Sequence, residues 1–270
     1  MKIAVITINT GQYIKLLPDF VFSVNQFLFP DEEKRIYAFT DSDDVKEDVI
    51  VKKIKHLPWP YPSLYRFRYI LSIRDELKDY DLIYFFNANS LFISPTSDVL
   101  LPKENKPIVL CPHIVNTIFP YTSLQYEQNP NSTAYHKPTP NDVYIMAGLF
   151  GGKTEDVLKL CRKLDIAIQT DISKGIQAIY HDESYLNKYT AENRDKIRLI
   201  PMTAMLPEDN NVRVMVSYLG GFKNIVLRDK NKYFDMSTVR EPTKGNTHLV
   251  SGDEEHRQAV QRNMNLIRGE

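Results

Sequence analysis

An unbroken apolar run, residues 82–86, lies between two segments with helical periodicity. A strand without charged residues on either face has to be covered on both sides, which is typical of the middle of a parallel sheet flanked by helices. The chain opens on a second run of this kind, residues 2–9, which is rich in β-branched residues and leads to Gly11. This alternation of strands and helices predicts an α/β fold.

The same apolar periodicity predicts the remaining elements. Strands are expected at residues 35–40, 49–54, 107–111, 143–150, 197–200 and 224–227, and helices at 13–29, 65–77, 154–169 and 182–189. Residues 121–141 are polar and rich in Pro and Asn, and a loop of that length inside a compact domain is usually functional or mobile. We expect residues 1–240 to form one domain, and residues 241–270 to form a polar tail that is partly disordered or closes over substrate.

Charge and hydropathy limit the partners and the location of the protein. Lys and Arg number 34, as do Asp and Glu, so the net charge of zero gives no overall attraction to nucleic acid or to an anionic membrane. No apolar run is long enough to span a membrane, and the N-terminus lacks a signal-peptide pattern. The sequence therefore predicts a cytoplasmic protein without a membrane anchor. Cys111 and Cys161 lie in no zinc-ligand spacing and are expected to be ordinary thiols.

Two asparagines follow the central apolar strand. In open α/β sheets ligands bind beyond the carboxyl ends of the strands, which is where Asn87 and Asn89 are expected. In extended backbone both carboxamides would point the same way and could bond sugar hydroxyls or phosphate oxygens. A simple Asn-rich turn is the alternative.

Two further clusters carry charge. Asp182 and Glu183 lie at the start of a predicted helix, where the helix dipole stabilises acids, or where an acid could face a developing positive charge. Four cations near the C-terminus could neutralise a diphosphate or form a solvated face. These cations are Arg228, Lys230, Lys232 and Arg240.

Four sequence words, taken together, identify a family. They are residues 59–67, which begin Trp-Pro and end Arg-Phe, FFNANSLF at 85–92, YIMAGLFGG at 144–152 and HDESYLNKY at 181–189. In this order they resemble glycosyltransferase family 6, the histo-blood-group A and B transferases and the α-1,3-galactosyltransferases. The resemblance covers about residues 3–240. Because no membrane anchor is expected, the chain resembles the bacterial members of the family. It implies a single-domain, Rossmann-like GT-A fold with a mixed central sheet.

The resemblance implies a retaining hexosyltransferase that uses UDP-galactose or UDP-N-acetylgalactosamine (UDP-GalNAc). Vertebrate members bind Mn²⁺ with Asp-x-Asp where this chain has residues 87–89, Asn-Ala-Asn. Neutral amides are weak ligands for hard divalent cations, and bacterial members with Asn-x-Asn are known to work without metal. We therefore expect no metal and no other cofactor. The Asp-x-Asp triplets at 41–43 and 79–81 are expected to lie outside the site.

The resemblance also assigns roles to residues. Glu183 corresponds to the carboxylate near the reacting anomeric carbon, where it stabilises or attacks that centre. Donor-binding residues are expected to be Ile8, Asn9, Thr10, Tyr13, Arg66, Asn87, Asn89, Met146, Ala147, Gly148, His181, Asp182, Lys230, Lys232 and Arg240. Acceptor-binding residues are expected to be His113, Gln125, Tyr180 and Glu183.

The resemblance also implies that the stretch with Met146, Ala147 and Gly148 decides between galactose and N-acetylgalactosamine. A glycine at position 148 leaves room for an acetamido group and favours UDP-GalNAc, whereas Met146 is more typical of galactose users. The expected acceptor is a galactose that carries an α-1,2-linked fucose (H-type). Four alternatives stay open: a galactosyltransferase, a GT-A protein that hydrolyses nucleotide sugars or uses another nucleotide donor, a non-catalytic UDP-sugar-binding protein, and a Mn²⁺ enzyme with other ligands.

Overall fold

The computed structural model describes residues 1–117, 119–208, 221 and 223–235. Within these ranges ten strands form two sheets. The strands are β1 (Lys2–Ile8), β2 (Glu33–Thr40), β3 (Ile50–Lys53), β4 (Leu82–Phe86), β5 (Ser90–Phe92), β6 (Ile108–Pro112), β7 (Ile145–Lys153), β8 (Ile197–Leu199), β9 (Met205–Pro207) and β10 (Ile225–Leu227). The main sheet has the order β3-β2-β1-β4-β7-β6-β8, and the small sheet has the order β5-β10-β9.

Helices cover both faces of the main sheet. The α-helices are α1 (Leu17–Phe27), α2 (Tyr61–Leu64), α3 (Arg66–Ser72), α4 (Arg74–Leu77), α5 (Ser97–Leu100), α6 (Thr154–Ser173) and α7 (Asp182–Glu192). Short 3-10 helices lie at Gly11–Leu16, Ile114–Thr117, Tyr121–Ser123, Arg194–Lys196, Met202–Ala204 and Lys230–Lys232. None of the helices in the described ranges combines the length and the apolar character that a membrane span requires.

Strand β4 lies at the centre of the main sheet, and all of its residues are buried. Alternate side chains belong to different cores: Phe85 stacks on Phe150 at 5.0 Å on one face, and Phe86 contacts Phe92 edge-on at 4.9 Å on the other. β4 runs parallel to β1 and antiparallel to β7. The predicted mixed sheet is therefore confirmed. The apolar sequence of β4 had predicted parallel neighbours on both sides, and that prediction is wrong for β7.

The reversal of β7 positions the site. Because β7 runs against β4, the start of β7 lies beside the end of β4, where the Asn87 amide donates to the Gly148 carbonyl over 2.9 Å. The end of β1 meets the same edge, since β1 and β4 are parallel. Three segments that are distant in sequence thus converge at one edge of the sheet.

Two predicted helices differ in detail. The helix expected at 65–77 is divided into α3 and α4, with α2 preceding it as a separate turn, and the helix expected at 13–29 begins as a 3-10 turn before Pro18. The loop at 121–141 is held to the body of the protein: buried Asp171 accepts bonds from the Ser132 hydroxyl at 2.6 Å and the Thr133 amide at 2.9 Å. Cys111 and Cys161 are buried, free thiols.

Candidate active site

A cleft of about 1420 Å³ opens at this edge of the main sheet. It is walled by the end of β1, the turn after β4, the start of β7, the loop at 121–128 and the segment that leads into α7. The predicted site residues that line it are Ile8, Thr10, Tyr13, Arg66, Asn87, Asn89, Gln125, Met146, Ala147, Gly148, Tyr180, His181, Asp182, Glu183 and Lys230. Asn9, His113 and Lys232 do not line it, and Arg240 lies outside the described residues.

A buried ion pair lies in the floor of the cleft. Arg66, the first residue of α3, is 6% exposed, and its Nη1 lies 3.0 Å from Oδ2 of Asp182, which is 4% exposed. The same nitrogen donates to the Ala147 carbonyl over 2.6 Å, and the guanidinium lies 4.6 Å from the centre of the Phe85 ring. A buried charge requires such partners, so Arg66 and Asp182 hold each other in place.

Glu183 is fixed against β7 at the start of α7. Its Oε2 accepts a bond from the Ala147 amide over 2.9 Å, and its side chain stays partly exposed. One turn later Asn187 exchanges two bonds with the Ile145 backbone, at 2.6 and 2.9 Å, and so locks α7 onto the strand. No role was predicted for Asn187 from the sequence, although its spacing of four from Glu183 places both on one helix face.

His181 turns the chain into α7. Its φ of 52° is uncommon for a residue other than glycine, and its ring contacts Trp59 edge-on at 5.1 Å. Trp59 also lines the cleft, a position that was not predicted from the sequence. The aromatic contact joins the segment before α2 to the segment before α7.

The two neighbouring acids have raised pKa values. Burial raises the pKa of Asp182 to about 7; Arg66 opposes the shift and Glu183 adds to it. Burial also raises the pKa of Glu183, whereas the Ala147 amide, the nearby Tyr144 hydroxyl and Arg66 act to lower it. One guanidinium thus faces two carboxyl groups, an arrangement that makes ionisation of either acid depend on the other.

We expect Asp182 to give the folded state a measurable pH dependence. Its folded pKa of about 7 exceeds its ordinary value of 3.8, so the folded state binds the extra proton between these values and stability falls as pH rises through this window. Chemical unfolding from pH 4 to 7 should show a slope up to about 1.4 kcal/mol per pH unit steeper for the wild type than for Asp182→Asn. Equal slopes would contradict the raised pKa.

The two asparagines do not lie in extended backbone, which corrects that expectation. The Ser90 amide donates to the Asn87 carbonyl over 2.9 Å, so residues 87–90 form a tight turn and the two side chains have different surroundings. The Asn87 carboxamide lies against Gly148, where an added Cβ would come within 2.9 Å of its Nδ2. Asn89 is 5% exposed, and its Nδ2 donates to the Arg228 carbonyl over 2.8 Å.

The end of β1 carries Ile8, Thr10 and Tyr13 into the cleft. Asn9 is fully buried and does not line the cleft. Its backbone carbonyl accepts from the Thr40 hydroxyl over 2.7 Å, and its side-chain Nδ2 donates to the Tyr13 carbonyl over 3.4 Å. Asp41 accepts from the Gly11 amide over 2.9 Å, and so supports the turn.

The predicted basic residues are distributed over different partners. Lys230 lines the cleft with its Nζ 5.4 Å from the centre of the Tyr13 ring. Lys232 pairs with Glu208 at 2.6 Å and does not line the cleft. Arg228 is 3% exposed and donates to Asp19 over 2.6 Å, so its charge serves the structure. Donor binding by Lys232 and Arg240 stays a prediction.

The opposite wall contains the predicted acceptor residues Gln125 and Tyr180. His113 lies behind this wall: its backbone amide donates to the Tyr144 carbonyl over 2.8 Å, and burial lowers the pKa of its ring to about 4. Acceptor binding by His113 stays a prediction. Glu127 was not among the predicted site residues; its Oε2 accepts from the Ile179 amide over 2.6 Å and joins the loop to the segment before α7.

Among the described residues, no three His, Cys, Asp or Glu side chains lie close enough together to hold a metal ion. The triplet at 79–81 lies at the far end of β1, where Asp81 accepts from the Lys2 amide over 2.8 Å. Asp43 of the triplet at 41–43 pairs with Lys53 at 2.5 Å.

Comparisons with known proteins agree on one family. The profile of Glycosyltransferase family 6 matches residues 112–204. The O-antigen biosynthesis glycosyltransferase WbnI of Escherichia coli is 30% identical over 200 residues, which cover 72% of this chain and 84% of that protein. The human globoside alpha-1,3-N-acetylgalactosaminyltransferase 1 is 24% identical over 212 residues, 74% of this chain and 60% of that protein. The rat histo-blood group ABO system transferase 1 is 42% identical over 67 residues, 25% of this chain and 19% of that protein.

Proposed function

The chain belongs to glycosyltransferase family 6, and on that premise we propose that it transfers N-acetylgalactosamine from UDP-GalNAc to a galactose that carries an α-1,2-linked fucose. The linkage formed is α-1,3, the anomeric configuration is retained, and no metal takes part. The observation that carries this proposal is the convergence of Glu183, the Arg66–Asp182 pair and residues 146–148 in one cleft at the carboxyl edge of the sheet.

Glu183 is proposed as the catalytic residue. The Ala147 amide and the start of α7 hold its carboxylate in place, and its partly exposed side chain can face the anomeric carbon of a bound donor. A fixed negative charge there stabilises the positive charge that develops as UDP leaves, without reorganisation during the reaction. Arg66 and Asp182, buried beside it, are proposed to bind hydroxyl groups of the donor sugar.

The chemistry of the turn after β4 supports a reaction without metal. The side chains of Asn87 and Asn89 are neutral, and Nδ2 of Asn89 already donates a hydrogen bond to the Arg228 carbonyl. Hard divalent cations prefer anionic oxygen ligands, so this turn does not fit Mn²⁺ or Mg²⁺. We propose that cationic side chains meet the charge of the leaving diphosphate, with Lys230 as the candidate that lines the cleft.

A galactosyltransferase is the second candidate, because Met146 lines the cleft beside Gly148. A non-catalytic UDP-sugar-binding protein is the third, since the asparagines could mark a lost metal site. The similarity to the human globoside alpha-1,3-N-acetylgalactosaminyltransferase 1 supports the first candidate over the second.

The proposal is tested by transfer from UDP-GalNAc and from UDP-galactose to 2′-fucosyllactose, each with and without excess EDTA. The expected result is product from UDP-GalNAc that survives EDTA. Activity that disappears with EDTA and returns with Mn²⁺ would contradict the metal-free mechanism. UDP binding without transfer or hydrolysis would favour the binding protein, and UDP release that does not depend on acceptor would indicate a hydrolase.

We expect Gly148→Ala to shift the donor preference toward galactose. The new methyl group would lie 2.9 Å from the Asn87 nitrogen and force that carboxamide into the space proposed for the acetamido group. The ratio of kcat/KM for UDP-GalNAc to that for UDP-galactose should fall about 10- to 100-fold. Both donors are measured on one preparation, so loss of active protein cancels in the ratio. An equal loss with both donors would contradict this role for Gly148.

A further inference from the structure

The two asparagines of the turn after β4 are in different environments. Asn87 is partly exposed and lies against Gly148, whereas Asn89 is buried. Asn89 forms two bonds with one residue: its carbonyl accepts from the Arg228 amide over 2.9 Å, and its Nδ2 donates to the Arg228 carbonyl over 2.8 Å. These bonds continue the antiparallel pairing of β5 and β10, in which Ser90 faces Leu227.

The second of these bonds requires a carboxamide. A carbonyl oxygen can only accept, and the Nδ2 group of Asn is a donor, whereas an ionised Asp has acceptors alone. Aspartate at position 89 would therefore place two acceptors against each other in a buried place. The chemistry of Asn89 suits the attachment of a neighbouring segment.

The attached segment carries Lys230. Immediately after Arg228 the chain forms the 3-10 turn Lys230–Lys232, which Asp229 caps by accepting from the Asn231 amide over 3.1 Å. The Lys230 ammonium then lies 5.4 Å from the centre of the Tyr13 ring, and Phe234 contacts the same ring edge-on at 5.1 Å. The place of Lys230 in the cleft thus follows from where Arg228 is held.

We infer that Asn89 is a positioning residue: it holds residues 228–234 across the end of β4 and thereby sets Lys230 against the diphosphate of the donor. The inference rests on the proposed UDP-sugar donor. It makes the second asparagine a support for the cation that meets the leaving group, and leaves Asn87 as the asparagine that faces the sugar. A hydrogen bond to a backbone carbonyl, not a ligand contact, is then the reason for a carboxamide at position 89.

The test compares UDP affinity by calorimetry, and kcat and KM for transfer, among variants of the full chain. Asn89→Ala should weaken UDP binding about tenfold, as expected for the loss of one buried hydrogen bond. Lys230→Ala should weaken it at least as much, and the double variant should be no weaker than Lys230→Ala alone. Losses that multiply in the double variant would show that Asn89 does not act through Lys230 and would overturn the inference.

Asn224→Ala is the matched control. Asn224 Nδ2 donates to the Pro95 carbonyl over 2.7 Å at the other end of β10, so its loss loosens the same strand away from the cleft. UDP affinity should be unchanged in this variant, and an equal loss in both variants would point to general loosening instead. Asn89→Asp keeps the size of the side chain and should bind UDP weakly with or without Mn²⁺. Restoration by Mn²⁺ would make position 89 a metal ligand and overturn the inference.

A ligand-free readout separates this inference from the proposed function. Hydrogen exchange of residues 228–234 should be faster in Asn89→Ala than in the wild type, and unchanged in Asn224→Ala. Unchanged exchange in Asn89→Ala would overturn the attachment itself. A wild-type chain that binds no UDP would instead contradict the proposed donor and the role of Lys230, while the exchange data would still decide whether Asn89 holds the segment.

Discussion

Glu183→Gln is expected to lower kcat for transfer by about 10²- to 10³-fold, in line with the loss of a preorganised charge at the reacting centre. The substitution keeps the size of the side chain and an oxygen that can accept from the Ala147 amide, which now lies 2.9 Å from Oε2. It removes the negative charge and the nucleophilic carboxylate. UDP affinity should therefore stay close to that of the wild type, as measured by calorimetry beside the transfer assay.

Glu192→Gln serves as the matched control for this prediction. Glu192 ends the same helix, α7, and is exposed in a pair with Lys188 at 2.9 Å, so the variant removes one charge from α7 without touching the cleft. It should transfer at the rate of the wild type. Comparable activity of Glu183→Gln and the wild type would remove Glu183 from the mechanism and leave the cleft without its proposed catalytic carboxylate.

Arg66→Met is expected to lower the free energy of unfolding by about 3–5 kcal/mol, because it leaves the Asp182 carboxyl buried without its partner. The two side chains are 7% and 6% exposed, so water screens their interaction little. Part of the loss should appear as a further rise in the pKa of Asp182, since Arg66 is the group that opposes the effect of burial there. Urea unfolding measures the change.

The neighbouring Arg68 supplies the comparison. Its side chain is 47% exposed and lies 3.3 Å from Asp165, so Arg68→Met should cost less than about 1 kcal/mol. The double variant Arg66→Met with Asp182→Asn should recover part of the stability lost in Arg66→Met, because no unpaired charge then remains. An Arg66→Met protein as stable as Arg68→Met would show that the buried pair is not holding the floor of the cleft together.

The elements with the clearest periodicity were predicted well. The apolar run at 82–86 is strand β4 with the predicted bounds, and the helix predicted to begin at residue 182 does so. The helix predicted at 65–77 is interrupted because Tyr65 and Ile73 leave helical geometry, which periodicity does not reveal: its apolar residues face one core whether the helix is continuous or broken.

The candidate site was predicted mainly from the four sequence segments that resemble the family, and less from the spacing of individual residues. Asn9 and His113 do not line the cleft, although the family segments placed them in the site, and their ligand contacts stay predictions. Asn187 and Glu127, which fix α7 and the loop beside it, were missed because their partners are backbone groups distant in sequence. Such partners leave no pattern in the residues next to them.

The sequence by itself determined the fold class, the central strand, the family and most of the residues that line the cleft. These depend on local periodicity and on contiguous words, which one sequence contains in full. Only the tertiary structure decided that Arg66 pairs with Asp182, and that Asn87 lies against Gly148 while Asn89 is hydrogen-bonded to Arg228. Those pairings depend on the direction of β7 beside β4 and on the register of β10 against β5, and such relations arise only when distant segments pack together.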